Sequence, residues 1–446
     1  MFACAAVAAG AAALFVLAWR LGTTQWSVDE LIYRDAAHAY LAGDLTPNRE
    51  HPPLGKYLIG VGQLVFGESA AASRMAAVLA SVATGVMLAI FAWRLAGRYA
   101  ALTAFAVWTI LPHPTAALNV ERRALLDVFM VLGVTTALYH GWTWANTGRL
   151  RPALVAGVAV GLATAAKLPG ALDLPIIVTL ALHSGRSRRT ILQAVAAVGA
   201  AAAAFIAVYL PYGRGIPGAI EYMIRFQRQN SARGHSVLVE GVTVAHPPWW
   251  YGPAQIYHDT PLVFLASVAA LVVAPLVLDR RLALYLLSAV LIPFGFIAFV
   301  FGVQLRHYPF DYLAPVALVL ALVLAALIRR GSPIDLAAAA TLAVPLVLLA
   351  STTILRTASL GIGDYERAAR LIDARARSGS RVVVTLSERR VLAAYLDDPA
   401  RVVRRVVRTA GAIVTSGSER LRTGDPRLRS FDPTRVGALT VWLRRR

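Results

Sequence analysis

The sequence is poor in cysteine and in charged residues. Cys4 is the single cysteine among 446 residues, so an intrachain disulfide is excluded and the redox compartment cannot be inferred. Charged residues make up 15% of the chain and hydrophobic residues 58%, whereas soluble domains contain about 25% charged residues. This shortage of charge and a mean hydropathy of +0.60 exclude an ordinary soluble protein and indicate a polytopic membrane protein.

Acidic residues are scarcer than basic ones. The chain has 24 Asp and Glu against 44 Lys and Arg, which gives a formal net charge of +20. Such an excess can indicate nucleic-acid binding, but the apolar runs favour basic topology signals, and no nucleic-acid partner is predicted. The first apolar run, residues 2–19, has no basic segment before it and no clear cleavage site, so we expect a retained span.

Eleven apolar segments approach the roughly 20 residues that cross a bilayer. They are residues 2–19, 70–93, 99–117, 125–145, 152–166, 168–183, 190–211, 260–278, 282–303, 309–328 and 333–354. Arginine pairs or triplets occupy alternate connections, which the positive-inside rule places in the cytoplasm together with the N-terminus. The extracytoplasmic face is then predicted to receive residues 20–69, the turn near Glu121, residues 212–259 and everything after about 355.

The last part of the chain does not resemble a membrane segment. Its candidate elements are a strand in "RVVVTL" (381–386), a capped helix in "SERRVLAAYL" (387–396), and strands in "AIVTS" (412–416) and "ALTVWLRR" (438–445). We predict an all-α transmembrane domain over 1–355 and a small extracytoplasmic α/β domain over 356–446. No internal repeat indicates a transporter built from two halves.

Two adjacent carboxylates, Asp29 and Glu30, follow the first span. Ser27 precedes Glu30 by three residues, a capping-box pattern that gives Glu30 a local structural role. Carboxylates near an apolar membrane surface are costly unless they are used, so the structural role does not exclude catalysis. We therefore treat both as candidate catalytic residues, with one of them acting as a general base.

The segment "HPPLGK" places His51 and Lys56 on either side of two prolines, which favour extended backbone. A lysine at the interface can hold a lipid phosphate, and the alternative is a lysine that only snorkels to the headgroups. A proline-rich turn before an interfacial helix is the structural alternative for the whole segment.

Two acids and two arginines crowd the start of the fourth span in "ERRALLD" (121–127). Glu121 suits the positive end of a helix dipole, which leaves a purely structural role open. Arg122 and Arg123 oppose both the dipole and the positive-inside rule, so they indicate an anionic ligand. Asp127 is costly against lipid, and we expect it to face a cavity or to pair with an arginine.

Further candidates on the same predicted face are Lys167, His246, Trp249, Trp250, Arg306 and His307. Lys167 is either a plain loop lysine or a phosphate ligand, and the tryptophans suit an interfacial belt or, with a histidine, a sugar or peptide groove. Cations stabilise charge that develops on a leaving phosphate, and a carboxylate activates a nucleophile. A carrier would instead place ionisable groups through the bilayer.

In chain order, these motifs resemble those of the protein O-mannosyltransferase family, glycosyltransferase family 39. The family belongs to the GT-C membrane transferases, which also include aminoarabinose transferases. The resemblance covers roughly residues 20–320 and rests on "DE", "HPPLGKYLIG", "ERRALLDVF", "GLATAAKLPG", "HPPWWY" and "RHYPFDYLAP". It implies a GT-C fold and inverting transfer of a sugar, typically mannose, from a polyprenyl- or dolichyl-phosphate donor to a hydroxyl.

The resemblance also implies roles for particular residues. Asp29 matches the catalytic acid of the first loop with Glu30 beside it, and Arg122 or Arg123 matches the arginine before the "LLD" helix. Lys56, Lys167 and Arg306 remain candidate phosphate ligands, and no metal is predicted. Residues 212–259 are too few for the β-trefoil domain of eukaryotic members, so a protein, a lipid and a cell-wall glycan all stay open as acceptors. Two different functions also stay open, a transporter of polyprenyl-linked sugars and an inactive subunit.

Overall fold

The computed structural model describes residues 2–110, 120–185, 187–305, 307–376, 379–384, 389–403, 410–416 and 430–445. The chain divides into two compact units, which we call the helical unit and the sheet unit. The helical unit comprises Met1–Trp19 and Tyr33–Ser359, and the sheet unit comprises Arg20–Ile32 and Leu360–Arg446.

Fifteen described α-helices run from the start of the chain to Ala358. They are α1 (Phe2–Ala18), α2 (Val28–Leu41), α3 (Leu54–Phe66), α4 (Ala70–Ala96), α5 (Arg98–Ile110), α6 (Asp127–Thr147), α7 (Leu150–Ala166), α8 (Asp173–Ser184), α9 (Arg188–Val208), α10 (Ile216–Arg233), α11 (Tyr251–Asp259), α12 (Pro261–Val277), α13 (Arg280–Gly295), α14 (Leu313–Arg330) and α15 (Pro333–Ala358). Short helical turns cover Leu168–Leu172, Leu210–Gly215, Phe296–Val300 and Tyr308–Tyr312. A hairpin of β1 (Val237–Val239) and β2 (Val242–Val244) interrupts the helices.

The predicted all-α membrane fold with a small C-terminal sheet is confirmed. Five described helical segments are long and apolar enough to cross a membrane: Ala70–Ala96, Arg188–Val208, Arg280–Val300, Tyr308–Arg330 and Pro333–Ala358. Other predicted spans, such as Leu150–Ala166, form shorter apolar helices. That all eleven segments cross the bilayer stays a prediction, and residues 111–117 of the third one lie outside the described residues.

Close helix packing in this unit depends on small residues. A Cβ added at Gly157 would lie 2.2 Å from the carbonyl oxygen of Ala197, and one at Gly161 would lie 2.2 Å from that of Ala201. Because lipid gives no hydrophobic drive for helix association, membrane helices gain contact energy by such close approach. The segment Tyr308–Arg330 is the most enclosed candidate span, with 89% of its apolar window buried. Its first residues are therefore inside the helix bundle.

The sheet unit contains a mixed five-stranded sheet with the order β4-β3-β5-β7-β6. Its elements are α16 (Asp364–Arg375), β3 (Arg381–Val384), α17 (Arg389–Ala393), β4 (Val402–Val403), β5 (Ala410–Ser416), β6 (Phe431–Val436) and β7 (Leu439–Arg444). β3 runs parallel to β4 and β5, and β7 pairs antiparallel with β5 and β6. The predicted strands and the helix are present where they are described, whereas the predicted cap Ser387 lies outside the described residues. The domain boundary at 355 stays a prediction.

Candidate functional site

Lys167 lies at a break between two helices. α7 ends at Ala166, Lys167 itself has extended backbone (φ −156°, ψ 132°), and the turn Leu168–Leu172 leads into α8. The turn returns so closely to α7 that a Cβ at Gly170 would lie 2.7 Å from the carbonyl carbon of Ala163. The "KLPG" sequence thus ends one helix and directs a lysine side chain into the protein, where Lys167 is 8% exposed.

Two carboxylates from distant parts of the sequence meet the Lys167 ammonium. Its Nζ lies 2.5 Å from Oδ1 of Asp127 at the start of α6, and 3.7 Å from Oδ1 of Asp311 in the turn before α14. The same nitrogen lies 4.3 Å from the centre of the Tyr308 ring. A buried ammonium is tolerated only when it is paired, and here the protein supplies two acids for one cation.

Of the two environments expected for Asp127, a cavity or a pairing with an arginine, the pairing with Arg122 or Arg123 is wrong. Asp127 pairs with Lys167, because Arg122 is held elsewhere. The Arg122 guanidinium is fully buried and donates hydrogen bonds to the carbonyl oxygens of Val16, at 2.9 Å, and Trp19. Carbonyls at the end of a helix favour a cation, so Arg122 fastens this segment to the end of α1.

Glu121 is fully buried, and neither of its carboxylate oxygens accepts a hydrogen bond in the described part of the chain. Glu121 therefore accepts no hydrogen bond from Arg122 or Arg123. Arg123 is partly buried. Its phosphate-binding role, like that of Arg122, stays a prediction.

A cavity of about 620 Å³ opens beside Lys167. Its polar end is formed by His51, Lys167, Tyr308 and Asp311. Its apolar wall includes Leu172, Ile224, Phe296, Ile297, Val300 and Phe301, and Gln227, Arg228 and Ser231 of α10 also line the cavity. A concave site with cationic groups and a long apolar wall suits an amphiphile that has an anionic head and a hydrocarbon chain.

His51 contributes a neutral ring to this cavity. Burial, together with the charges of Lys56 and Lys167, lowers the pKa of His51 to about 3. The ring packs edge-on against Tyr33, with the centroids 5.7 Å apart. At physiological pH, His51 therefore serves as a hydrogen-bonding group rather than as a cation.

Lys56 is held by the turn that precedes it. Its fully buried ammonium donates hydrogen bonds to the carbonyl oxygens of Asn48, at 2.5 Å, and His51, at 2.7 Å. It also lies 5.2 Å from the centre of the Tyr40 ring. These contacts explain a rigid, polar "HPPLGK" beside an apolar helix. The lysine satisfies the His51 carbonyl and adds a second donor to the Asn48 carbonyl, which also accepts from the His51 amide at 3.3 Å. A phosphate contact for Lys56 stays a prediction.

Asp29 and Glu30 lie in the first turn of α2, in the part assigned to the sheet unit. The predicted capping box is confirmed: the Ser27 amide donates to Oε2 of Glu30 at 3.0 Å, and the Glu30 amide donates to Oγ of Ser27 at 3.3 Å. Glu30 is fully buried, whereas Asp29 is partly exposed. Of the two, Asp29 is thus the carboxylate that solvent reaches.

The remaining sequence candidates have different surroundings. Nδ1 of His246 lies 3.1 Å from the carbonyl oxygen of Gly302, which links the second long loop to the segment after α13. Trp249 is 52% exposed and stacks on Phe299, as expected for an interfacial aromatic pair. Trp250 is also exposed. The His307 ring packs edge-on against the ring of Tyr308. Arg306 lies outside the described residues.

Sequence reasoning missed several polar residues of this site, among them Tyr308 and Asp311. Both are in the "RHYPFDYLAP" motif, but only its first two residues were selected. The signal for Asp311 was the same as for Asp127, namely an acid at the start of an apolar helix.

A family model supports the resemblance. The model described as Dolichyl-phosphate-mannose-protein mannosyltransferase matches residues 50–212, which include His51, Lys56, Asp127 and Lys167. No curated protein sequence matches this chain. The predicted resemblance to the protein O-mannosyltransferases and the wider GT-C group is confirmed.

Solved structures share the fold. ArnT from Cupriavidus metallidurans bound to undecaprenyl phosphate is 16% identical, with a TM-score of 0.66 over 98% of this chain and 97% of ArnT. The oligosaccharyltransferase of Archaeoglobus fulgidus in the apo form is 12% identical, with a TM-score of 0.57 over 86% of this chain and 62% of that one. The oligosaccharyltransferase AglB from Archaeoglobus fulgidus, in complex with an inhibitory peptide and a dolichol-phosphate, gives a TM-score of 0.54 at 12% identity over 86% of this chain and 62% of that one. The chain thus has the GT-C fold of membrane glycosyltransferases.

Proposed function

We propose that this protein is an inverting glycosyltransferase that moves a sugar from a polyprenyl-phosphate donor to a hydroxyl acceptor on the extracytoplasmic face of the membrane. The observation that carries the proposal is the cavity with Lys167 at its polar end and an apolar wall behind it. The family model supports it, as do fold neighbours whose structures hold undecaprenyl phosphate or a dolichol-phosphate.

Lys167 is the proposed ligand of the donor phosphate. An ammonium fixed before the reaction stabilises the negative charge that develops on the departing phosphate, with little reorganisation. Asp127 holds that ammonium in place at 2.5 Å, and the neutral His51 ring adds a hydrogen-bonding group. The apolar wall receives the first isoprene units of the chain.

Asp29 is the proposed general base. The acceptor oxygen attacks the anomeric carbon, the bond from that carbon to the phosphate oxygen breaks, and its electron pair leaves on the lipid phosphate. The acceptor proton passes to the Asp29 carboxylate. Glu30 is the weaker candidate, because its carboxylate is engaged in the capping box with Ser27.

Mannose as the sugar and protein Ser or Thr as the acceptor are proposed from the family resemblance. Transfer to a lipid or a cell-wall glycan is the second proposal. The short second loop favours it, because residues 237–259 hold only a two-stranded hairpin and α11, without the inserted domain of eukaryotic members.

The test uses membranes that contain the protein and a labelled polyprenyl-phosphate mannose. One arm adds a Ser- and Thr-rich peptide, and the other arm adds none and is followed by extraction of lipids and glycans. Label in the peptide supports protein mannosylation, and label in the lipid or glycan fraction supports the second proposal. Absence of transfer from every polyprenyl-phosphate sugar offered would overturn both.

A further inference from the structure

Asp311 is a buried carboxylate beyond what is needed to neutralise Lys167. It is 5% exposed, lies in the turn Tyr308–Tyr312 and lines the cavity. Its Oδ1 is 3.7 Å from the Lys167 ammonium, which is too long for a hydrogen bond. Neither of its oxygens has a hydrogen-bond partner in the described part of the chain.

The charges around Asp311 do not balance. Lys167 is already paired with Asp127 at 2.5 Å. Asp173 in the first turn of α8 is also buried, has one carboxylate oxygen without a partner among the described residues, and interacts electrostatically with Asp311. Asp127 and Asp311 therefore share one ammonium, and Asp173 is a further carboxylate that interacts with Asp311. A lipid phosphate beside Lys167 would add another anion in a medium that screens charge poorly.

We propose that Asp311 is protonated when a lipid phosphate occupies the cavity, and that its carboxyl group donates a hydrogen bond to a phosphate oxygen beside Lys167. This inference rests on the proposed function. The phosphate then lies between an ammonium and a neutral donor, instead of between an ammonium and a carboxylate. Donor binding is therefore coupled to the uptake of one proton from solvent.

Other titratable groups face Asp311 from each neighbouring element. They are Asp127 from α6, Lys167 from the helix break, Asp173 from α8, and Tyr308 and Tyr312 from its own turn. His51 and Arg228, the second of them from α10, line the same cavity, and His307 interacts with Asp127 and His51. The pKa of His51 is already near 3, so His51 does not gain or lose a proton between about pH 5 and 9. Proton uptake makes the affinity for the lipid phosphate fall as pH rises, by at most about tenfold per pH unit.

The test is calorimetric titration of the full-length protein in detergent with a short-chain polyprenyl methyl phosphate. This diester keeps one negative charge over the pH range, whereas a monoester would itself titrate near about pH 6. Titration in two buffers of different ionisation enthalpy gives the number of protons taken up. We expect uptake approaching one proton for the wild type, and affinity that weakens with rising pH.

Two variants assign the proton. Asp311→Asn places a permanently neutral donor of the same size, so uptake should vanish and affinity should no longer change with pH. Asp173→Asn removes the other surplus carboxylate, which does not line the cavity, and should keep the wild-type uptake. Unchanged uptake in Asp311→Asn, or its loss in Asp173→Asn, would overturn the inference.

The wild-type titration decides the matter even if Asp311→Asn does not fold. Tight binding without proton uptake and with a flat pH profile would overturn the role of Asp311 and leave the proposed function standing. Failure of the wild type to bind the diester at any pH would overturn the proposed function and this inference with it.

Discussion

At the residue scale, two buried lysines differ in what their ammonium groups contact. Lys56 donates to backbone carbonyls of its own turn, whereas Lys167 is held between two carboxylates at the end of a cavity. Only the second arrangement offers charge to a ligand. The phosphate role predicted for Lys56 from its place at the interface therefore competes with a structural role that the geometry supports.

Lys56→Met separates these roles. Removing the ammonium leaves the carbonyl of His51 without its donor and takes one of two donors from the carbonyl of Asn48, and we expect a loss of about 1–3 kcal/mol in stability. The donor KM of the folded fraction should be unchanged. Thermal unfolding followed by fluorescence-detected gel filtration, together with donor titration, measures both quantities. A raised donor KM at normal stability would favour the phosphate role instead.

Asp29→Asn tests the proposed base. The amide keeps the size of the side chain but cannot take the proton from the acceptor hydroxyl. The transfer rate should therefore fall by roughly 10²–10⁴. Donor binding should persist, because no part of the donor contact is assigned to Asp29. Glu30→Gln is the matched control. We expect it to keep the capping box, because glutamine also serves at this position, and to leave the rate per folded molecule near the wild-type value. Wild-type transfer by Asp29→Asn would rule out this base.

At the element scale, hydropathy and helix signals predicted most of the architecture. Spans such as Ala70–Ala96 and Pro333–Ala358 follow directly from long apolar runs. The strand β6 was missed because its sequence "FDPTRV" contains a proline, which an edge strand tolerates on its open side. Strand β4 has only two residues, too few for any periodic pattern.

The centre of the candidate site was less predictable than the elements. Each of Asp127, Lys167 and Asp311 stands out as an ionisable residue beside an apolar run. Their convergence depends on how α6, the break after α7 and the turn before α14 pack together, and no local pattern encodes that. The same limit explains the wrong partner for Asp127, since the nearby arginine is held by α1 carbonyls that are distant in sequence.

The contact between α7 and α9 gives an element-scale prediction. Gly161→Ala places a methyl group 2.2 Å from the Ala201 carbonyl oxygen, so the helices must separate, at a cost of about 1–3 kcal/mol. Gly199→Ala in α9 has nothing within 4 Å of the added carbon and should be neutral or slightly stabilising. The unfolding temperature in detergent is measured for both variants. An equal change in the two would show that the close approach of α7 and α9 does not limit their packing.

At the scale of the whole molecule, the chain is a membrane protein whose orientation is predicted from charge. Arginine-rich connections such as those at 280–281 and 329–330 alternate with the connections that carry the candidate site. The positive-inside rule then places the site and the C-terminus outside the cytoplasm. Reporter enzymes fused after Arg446 test this placement. A reporter that works only in the periplasm or lumen should be active. Activity of a reporter that works only in the cytoplasm would contradict the predicted topology.

The variant Lys167→Met tests most directly whether Lys167 holds the donor phosphate. The measurement is the rate at which it transfers labelled sugar from a polyprenyl-phosphate donor. At equal amounts of folded protein, we expect transfer to fall by roughly 10²–10³, as when a preorganised electrostatic contact is removed. Lys56→Met, which loses the same charge outside the cavity, should transfer near the wild-type rate. The double variant Asp127→Asn with Lys167→Met restores the net charge of the wild-type site and should remain as slow as Lys167→Met. Wild-type transfer by Lys167→Met would contradict the assignment of the donor site.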